Sequence, residues 1–174
     1  GSPLFLWIHL MDPHEPLLRH GGLEEEPGKD ALPEIDRLYR DEVRYTLQEL
    51  VRIVTLLEEH GLWEDALVVF CSDHGELLGD HGLAYKWLMY DPITHVPLIV
   101  WRPGESRPPG EVTDLVSLVD LGPTILEAAG VEVPSYMEGR SLRAYLDGES
   151  IEPREFVFCE DNYQIMMRSA EHKL

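Results

Sequence analysis

Three short apolar runs do most to limit what this chain can fold into. Leu4 to Leu10 reads LFLWIHL, Ala66 to Cys71 reads ALVVFC, and Val96 to Trp101 reads VPLIVW. None alternates apolar with polar residues, as a strand with one wet face would. Near-continuous runs of this length fit strands covered on both faces, the usual condition of a parallel sheet layered between helices. Pro97 is tolerated because it stands near the start of its run. Between the first two runs, Val43, Leu47, Leu50, Val51, Val54 and Leu57 recur at helical spacing, and charged residues fill the other face. This stripe predicts a long helix buried against the core, stopped by Gly61 after His60 in its last turn. Asp120 is placed to cap a second helix running through Ala129, with Pro123 in its first turn and Gly130 closing it. From Phe156 to Leu174 the chain reads as one strand and the beginning of another. Strand, helix, strand, loop, strand, helix is the order of an α/β fold with a mostly parallel sheet and flanking helices. Both ends read as cut within an element.

The connections carry the turn residues. Asp12-Pro13-His14-Glu15-Pro16 ends the first run in an extended turn fixed by two prolines. Leu17 to Pro33, with Gly21-Gly22 and Pro27-Gly28, is expected to be loop. The 174 residues include 33 acidic and 14 basic side chains, a formal net charge of −19. A field of that sign repels phosphate backbones and argues against a nucleic-acid partner. An anionic substrate would need a local reversal of the field, which a bound divalent cation supplies. No apolar run approaches the roughly 20 residues of a membrane-spanning helix, and localisation stays open. Cys71 and Cys159 suggest neither a disulfide framework nor a zinc cluster; each lies in an apolar run, where a thiol acts as a small hydrophobe.

Ligands of open α/β sheets collect at the carboxyl ends of strands. That rule selects Asp12 to Pro16 and Ser72 to Lys86. In the second segment Asp73 and His74 are adjacent, and a carboxylate oxygen beside an imidazole nitrogen can share one cation if the backbone turns sharply. Gly75 is expected to supply that freedom. An Asp-His pair is weak by itself. The run Ser72-Asp73-His74-Gly75-Glu76-Leu77-Leu78-Gly79-Asp80-His81-Gly82-Leu83, then Lys86 and Val96-Pro97-Leu98-Ile99, resembles a signature of the sulfatase family, within the alkaline-phosphatase superfamily. Asp12 to Pro16 resembles that family's histidine loop. Val119-Asp120-Leu121-Gly122-Pro123-Thr124-Ile125-Leu126 and Gly139-Arg140-Ser141-Leu142 resemble its tail.

The resemblance implies an alkaline-phosphatase-like fold, with residues 1–150 as the C-terminal portion of a catalytic domain and 151–174 as the start of a small strand-containing subdomain. It implies Asp73 and His74 as metal ligands, Lys86 as a contact to the sulfate and the leaving oxygen, and His14 as a similar contact from the opposite side. The implied metal is calcium, and histidine as a ligand also admits manganese or zinc. The family's nucleophile is a formylglycine made within a Cys/Ser-x-Pro-x-Arg motif. No such motif occurs in these residues, nor does the family's upstream acidic pair. The expectation is therefore part of a sulfuric ester hydrolase acting on a small-molecule or glycan sulfate, partnered by the other half of its catalytic domain and inactive alone. A phosphonate monoester or phosphodiester hydrolase uses the same residues and is the rival reading. A non-catalytic relative is the third.

Several side chains admit plainer roles. His81 could contact the substrate region or satisfy backbone groups in a tight turn. His9 and His95 fit hydrogen-bonded structural residues flanking strands. Glu76 and Asp80 could position the loop or be solvated. Trp87 and Trp101 fit packing, although Trp87 could line a pocket.

Overall fold

The computed structural model describes residues 4–17, 32–86, 88–105 and 110–174. Trp87 and most of the expected loop between Leu17 and Pro33 lie outside the described residues. The chain divides into two compact units: one holds the described residues up to Leu62 with Leu77–Tyr85, the other Trp63–Glu76 with the described residues from Lys86 to Leu174.

The first unit is built on α1 (Leu32–Glu59). Its exposed side carries ion pairs at helical spacing, Arg37–Glu34 at 2.6 Å, Arg40–Asp36 at 2.8 Å, Arg44–Asp41 at 2.8 Å and Arg52–Glu49 at 2.9 Å. Each adds only a few tenths of a kcal/mol, roughly 0.3–0.5. Gly61, at φ 63°, ends the helix: its N–H donates to Glu58 O and that of Leu62 to Leu57 O, which satisfies the last carbonyls. The helix packs on β2 (Leu77–Leu78), which pairs antiparallel with β3 (Ala84–Tyr85). Leu38 and Leu77 are almost wholly buried, as is Glu42, one turn on from Leu38. The predicted apolar stripe is only partly core. Leu47 is 48% and Val51 65% exposed, because two two-residue strands cannot cover an apolar face several turns long.

In the second unit β1 (Val68–Cys71) pairs with β4 (Leu98–Trp101) in register, Val69 opposite Val100. Trp63 packs edge-to-face on Trp101, with ring centroids 5.4 Å apart, so Trp101 is a packing residue. One helical turn, α2 (Asp91–Thr94), lies between the strands in sequence. α3 (Leu121–Ala128) and α4 (Arg143–Asp147) follow, and each ends on a glycine in the left-handed region, Gly130 at φ 69° and Gly148 at φ 75°. A hairpin of β5 (Val157–Glu160) and β6 (Ile165–Arg168) completes the unit. Trp63, Ile93, Leu142 and Met166 are its buried hydrophobics among the described residues, with Asp120 and Thr124 buried beside them.

The strand directions differ from the expectation of a mostly parallel sheet. All three ladders among the described residues are antiparallel. A parallel pair is usually joined by a helix laid across the sheet; among the described residues between β1 and β4 stand short strands, turns and the single helical turn α2. Leu4 to Leu10 joins no ladder among the described residues, and Leu4 to Ile8 are 47–73% exposed. Asp120 also departs from the expected cap. Its side chain accepts from Ser117 N at 2.8 Å, closing a 3-10 turn (Leu118–Asp120), rather than from α3. No helix among the described residues is long and apolar enough to cross a membrane.

Candidate metal and anion site

Each unit carries its own part of the predicted set: His14 and His81 in the first, Asp73, His74 and Lys86 in the second. The best-defined part is the loop leaving the C-terminal end of β1. Ser72 N continues the ladder to Pro97 O at 3.4 Å, and Ser72 Oγ donates to His74 O at 2.6 Å. Asp73 Oδ1 accepts from His74 N at 2.9 Å. His74 Nδ1 stands 2.9 Å from Gly75 O, an acceptor, so Nδ1 carries the proton and a neutral ring presents its lone pair at Nε2. Nε2 lies 3.8 Å from Asp73 Oδ2. Donors on neighbouring corners of a coordination shell of radius about 2.0–2.6 Å stand roughly 3–4 Å apart. The pair fits a divalent cation in donor chemistry and in spacing. Asp73 is 70% and His74 35% exposed at the side chain, so the approach is open. Among the described residues no group of three or more His, Cys, Asp or Glu is gathered to hold a metal. Two donors alone make a weak site.

Gly75 serves the loop differently from the expectation. It is not among the glycines with positive φ, so freedom to turn is not what the position requires. A Cβ there would sit 1.9 Å from Pro92 O. Glycine is needed because α2 approaches the loop backbone closely.

His14 sits in a turn closed by its N–H to Met11 O at 2.9 Å, and its Nδ1 lies 2.7 Å from Glu15 O. His81 lies in a 3-10 turn (Asp80–Gly82) at φ 56°, between Gly79 at φ 122° and Gly82 at φ 71°. Gly82 N donates to Gly79 O and Leu83 N to Asp80 O, both at 3.0 Å. Tyr85, the residue before Lys86, is also left-handed, at φ 70°. Two non-glycine residues in that region within five positions mark a strained stretch, which surrounding structure must hold in place. Lys86 is half-buried. Beside the site, the Cys71 thiol is pushed up by partial burial and by the neighbouring Asp73 carboxylate, both of which favour thiol over thiolate.

The sequence did not point to Asp91 as part of this neighbourhood. Its signal was an Asp-Pro pair, the start of a helical turn. That turn is where the Asp73–His74 loop rests.

A family model described as Sulfatase matches residues 1–131. Arylsulfatase K of Xenopus laevis is 44% identical over 101 residues, 58% of this chain and 19% of that protein. The multifunctional alkaline phosphatase superfamily protein PehA of Trinickia caryophylli is 41% identical over 98 residues, 56% of this chain and 19% of that protein. Among solved structures, the phosphonate monoester hydrolase SpPMH of Silicibacter pomeroyi superposes with a TM-score of 0.70 at 30% identity, over 84% of this chain and 33% of that one. This chain thus spans about a fifth of those curated relatives and a third of that structure. The architecture is of the sulfatase and alkaline-phosphatase-like α/β kind. With 131 of 174 residues matched, the chain belongs to the sulfatase family.

Proposed function

We propose that this chain supplies part of the active site of a metal-dependent sulfuric ester hydrolase. Asp73 and His74 hold a divalent cation, calcium on family resemblance, with manganese or zinc admitted by the imidazole. The observation that carries the reading is the loop after β1, where hydrogen bonds set His74 Nε2 and Asp73 Oδ2 3.8 Å apart. A bound cation would stabilise negative charge on the ester's oxygens as it develops. Lys86, a compact point charge, and His14 contact the sulfate and the departing oxygen, and His81 adds a substrate contact. The net charge of −19 makes such local cations necessary for an anionic ester.

The nucleophile, a formylglycine, comes from outside this chain, whose sequence holds no Cys/Ser-x-Pro-x-Arg motif. The chain alone is therefore expected to turn over no aryl sulfate. In a longer protein that joins it to such a motif, Asp73→Ala is expected to cost at least about 10²-fold in kcat, as lost charge stabilisation does. Metal-dependent turnover by the isolated chain, or an Asp73→Ala enzyme of full activity, would sink the reading.

The likeness to a phosphonate monoester hydrolase supports a second reading within the same superfamily. Both chemistries place charge on equivalent oxygens, so the same residues serve either. The ratio of kcat/KM for an aryl sulfate to that for an aryl phosphonate monoester separates them.

A further inference from the structure

The loop bearing Asp73 and His74 is seated on another element. Gly75 N donates to Ile93 O at 2.8 Å, and the Gly75 backbone lies so near Pro92 O that no side chain fits between them. The seat is α2, a helix of four residues. One turn of helix has no stability of its own, since nucleation is unfavourable; outside contacts must hold it. Ile93 is buried on one side of the turn. On the other, Asp91 Oδ1 accepts from Arg168 Nη1 at 2.6 Å and from Lys173 Nζ at 2.9 Å, and Lys173 Nζ also reaches Thr94 Oγ1 at 3.2 Å. The two cations come together because Arg168, at the end of β6, bridges antiparallel to Lys173. They stand 77 and 82 residues from Asp91 in sequence.

We propose that Asp91 is a positioning residue: with Arg168 and Lys173 it clamps α2 from the C-terminal hairpin and so fixes the loop that carries Asp73 and His74. Its bearing on metal binding rests on the reading of those two residues as ligands. A two-donor site depends strongly on such support, because ligands must be held within about 0.5 Å of the productive geometry. Asp91 is half exposed, and ion pairs of that kind contribute little to global stability. The clamp's effect is local to the loop.

The test is amide hydrogen exchange on this chain by NMR. Asp91→Asn is expected to speed exchange at Gly75 roughly five- to tenfold, the span of two weak ion pairs. Amides of the β1–β4 ladder should stay unmoved. Asp91→Glu should recover most of the protection, and Arg168→Gln with Lys173→Gln should reproduce the loss from the other side. Unchanged Gly75 exchange in both the Asp91→Asn and the double variant overturns the clamp. So does a loss shared equally with the ladder, which would make the cluster a general staple. Calcium and manganese are titrated in parallel against the His74 imidazole resonances in the longer protein that joins this chain to the formylglycine motif, because two donors alone make a weak site. A Gly75 response without any metal response keeps the clamp and removes the ligand reading. A metal response with Gly75 unaltered does the reverse.

Discussion

Asp120 has no exposed surface, yet it carries a charge. Burial pushes its carboxyl up, but the bidentate Arg154 guanidinium and the N–H groups of Arg140 and Ser117 outweigh that and hold it below the ordinary carboxylate range. Its own carbonyl accepts from Thr124 Oγ1 at 2.6 Å, and that oxygen in turn accepts from Leu142 N at 2.8 Å. One residue thus ties the 3-10 turn, the start of α3, the loop at Arg140 and the segment before β5. Removing one partner of a buried pair leaves the other charge uncompensated. Asp120→Ala is expected to destabilise by about 3–5 kcal/mol, with Arg154 only 14% exposed. Urea unfolding followed by circular dichroism measures it, and a loss under about 1 kcal/mol would mean that Arg154 relaxes freely to solvent. The sequence marked Asp120 as a cap but could not mark Arg154, because their pairing spans 34 residues and no local pattern encodes it.

At the scale of elements, what the sequence made legible was local. The helical spacing from Val43 to Leu57 lies within α1, the second and third apolar runs became β1 and β4, and Gly130 closes α3 as read. The direction of the strands was not legible. A continuous apolar run reports how many faces a strand covers, not which way its neighbour runs, and β1 and β4 meet antiparallel. Leu4 to Leu10 shows the same gap, since its run predicted a covered strand and it lies exposed. In the candidate site, the Asp73–His74 pair was legible because its members are adjacent. The seat on α2 was not, being a backbone contact made 18 residues away, Gly75 to Ile93. That contact has a direct test. Gly75→Ala places a methyl 1.9 Å from Pro92 O, backbone that cannot swing aside as a side chain would. The expected cost is about 1–3 kcal/mol, in the range of overpacked interiors. Gly110, where a Cβ would meet nothing within 4 Å, supplies the control: Gly110→Ala should be close to neutral. Equal melting temperatures for the two variants would show that the loop and α2 do not meet as described.

For the molecule as a whole, these groups define a stability profile with two limbs. On the acid side, Asp120 is lowered as argued above and Arg102 lowers Asp147; Asp91, lowered to about 2 by Lys173 and Arg168, is half exposed and adds little globally. A depressed carboxyl binds fewer protons folded than unfolded. Its stabilisation is complete above the unfolded value near 4 and is lost as pH falls through the folded value. On the alkaline side, burial and the hydrogen bond to Asp114 push the Tyr145 phenol up to about 12, its hydroxyl donating to Asp114 Oδ2 at 2.7 Å. Here the neutral form is favoured in the fold. The contribution is complete below about pH 10 and disappears as pH rises toward 12. The net charge of −19 opposes the acid limb and adds to the alkaline one, since self-repulsion is relieved as carboxylates elsewhere take up protons near pH 4 and grows as tyrosines ionise. Repulsion therefore softens the acid limb and sharpens the alkaline one. The urea midpoint is expected to be broad and flat between roughly pH 5 and 9, to fall below about 4 and to fall again above about 10. Tyr145→Phe keeps the ring and deletes the titrating hydroxyl. It should lower the midpoint at neutral pH and flatten the alkaline limb, leaving the acid limb unchanged. An alkaline limb of undiminished slope in Tyr145→Phe would assign it to general charge repulsion instead, and raising the salt concentration would then remove it.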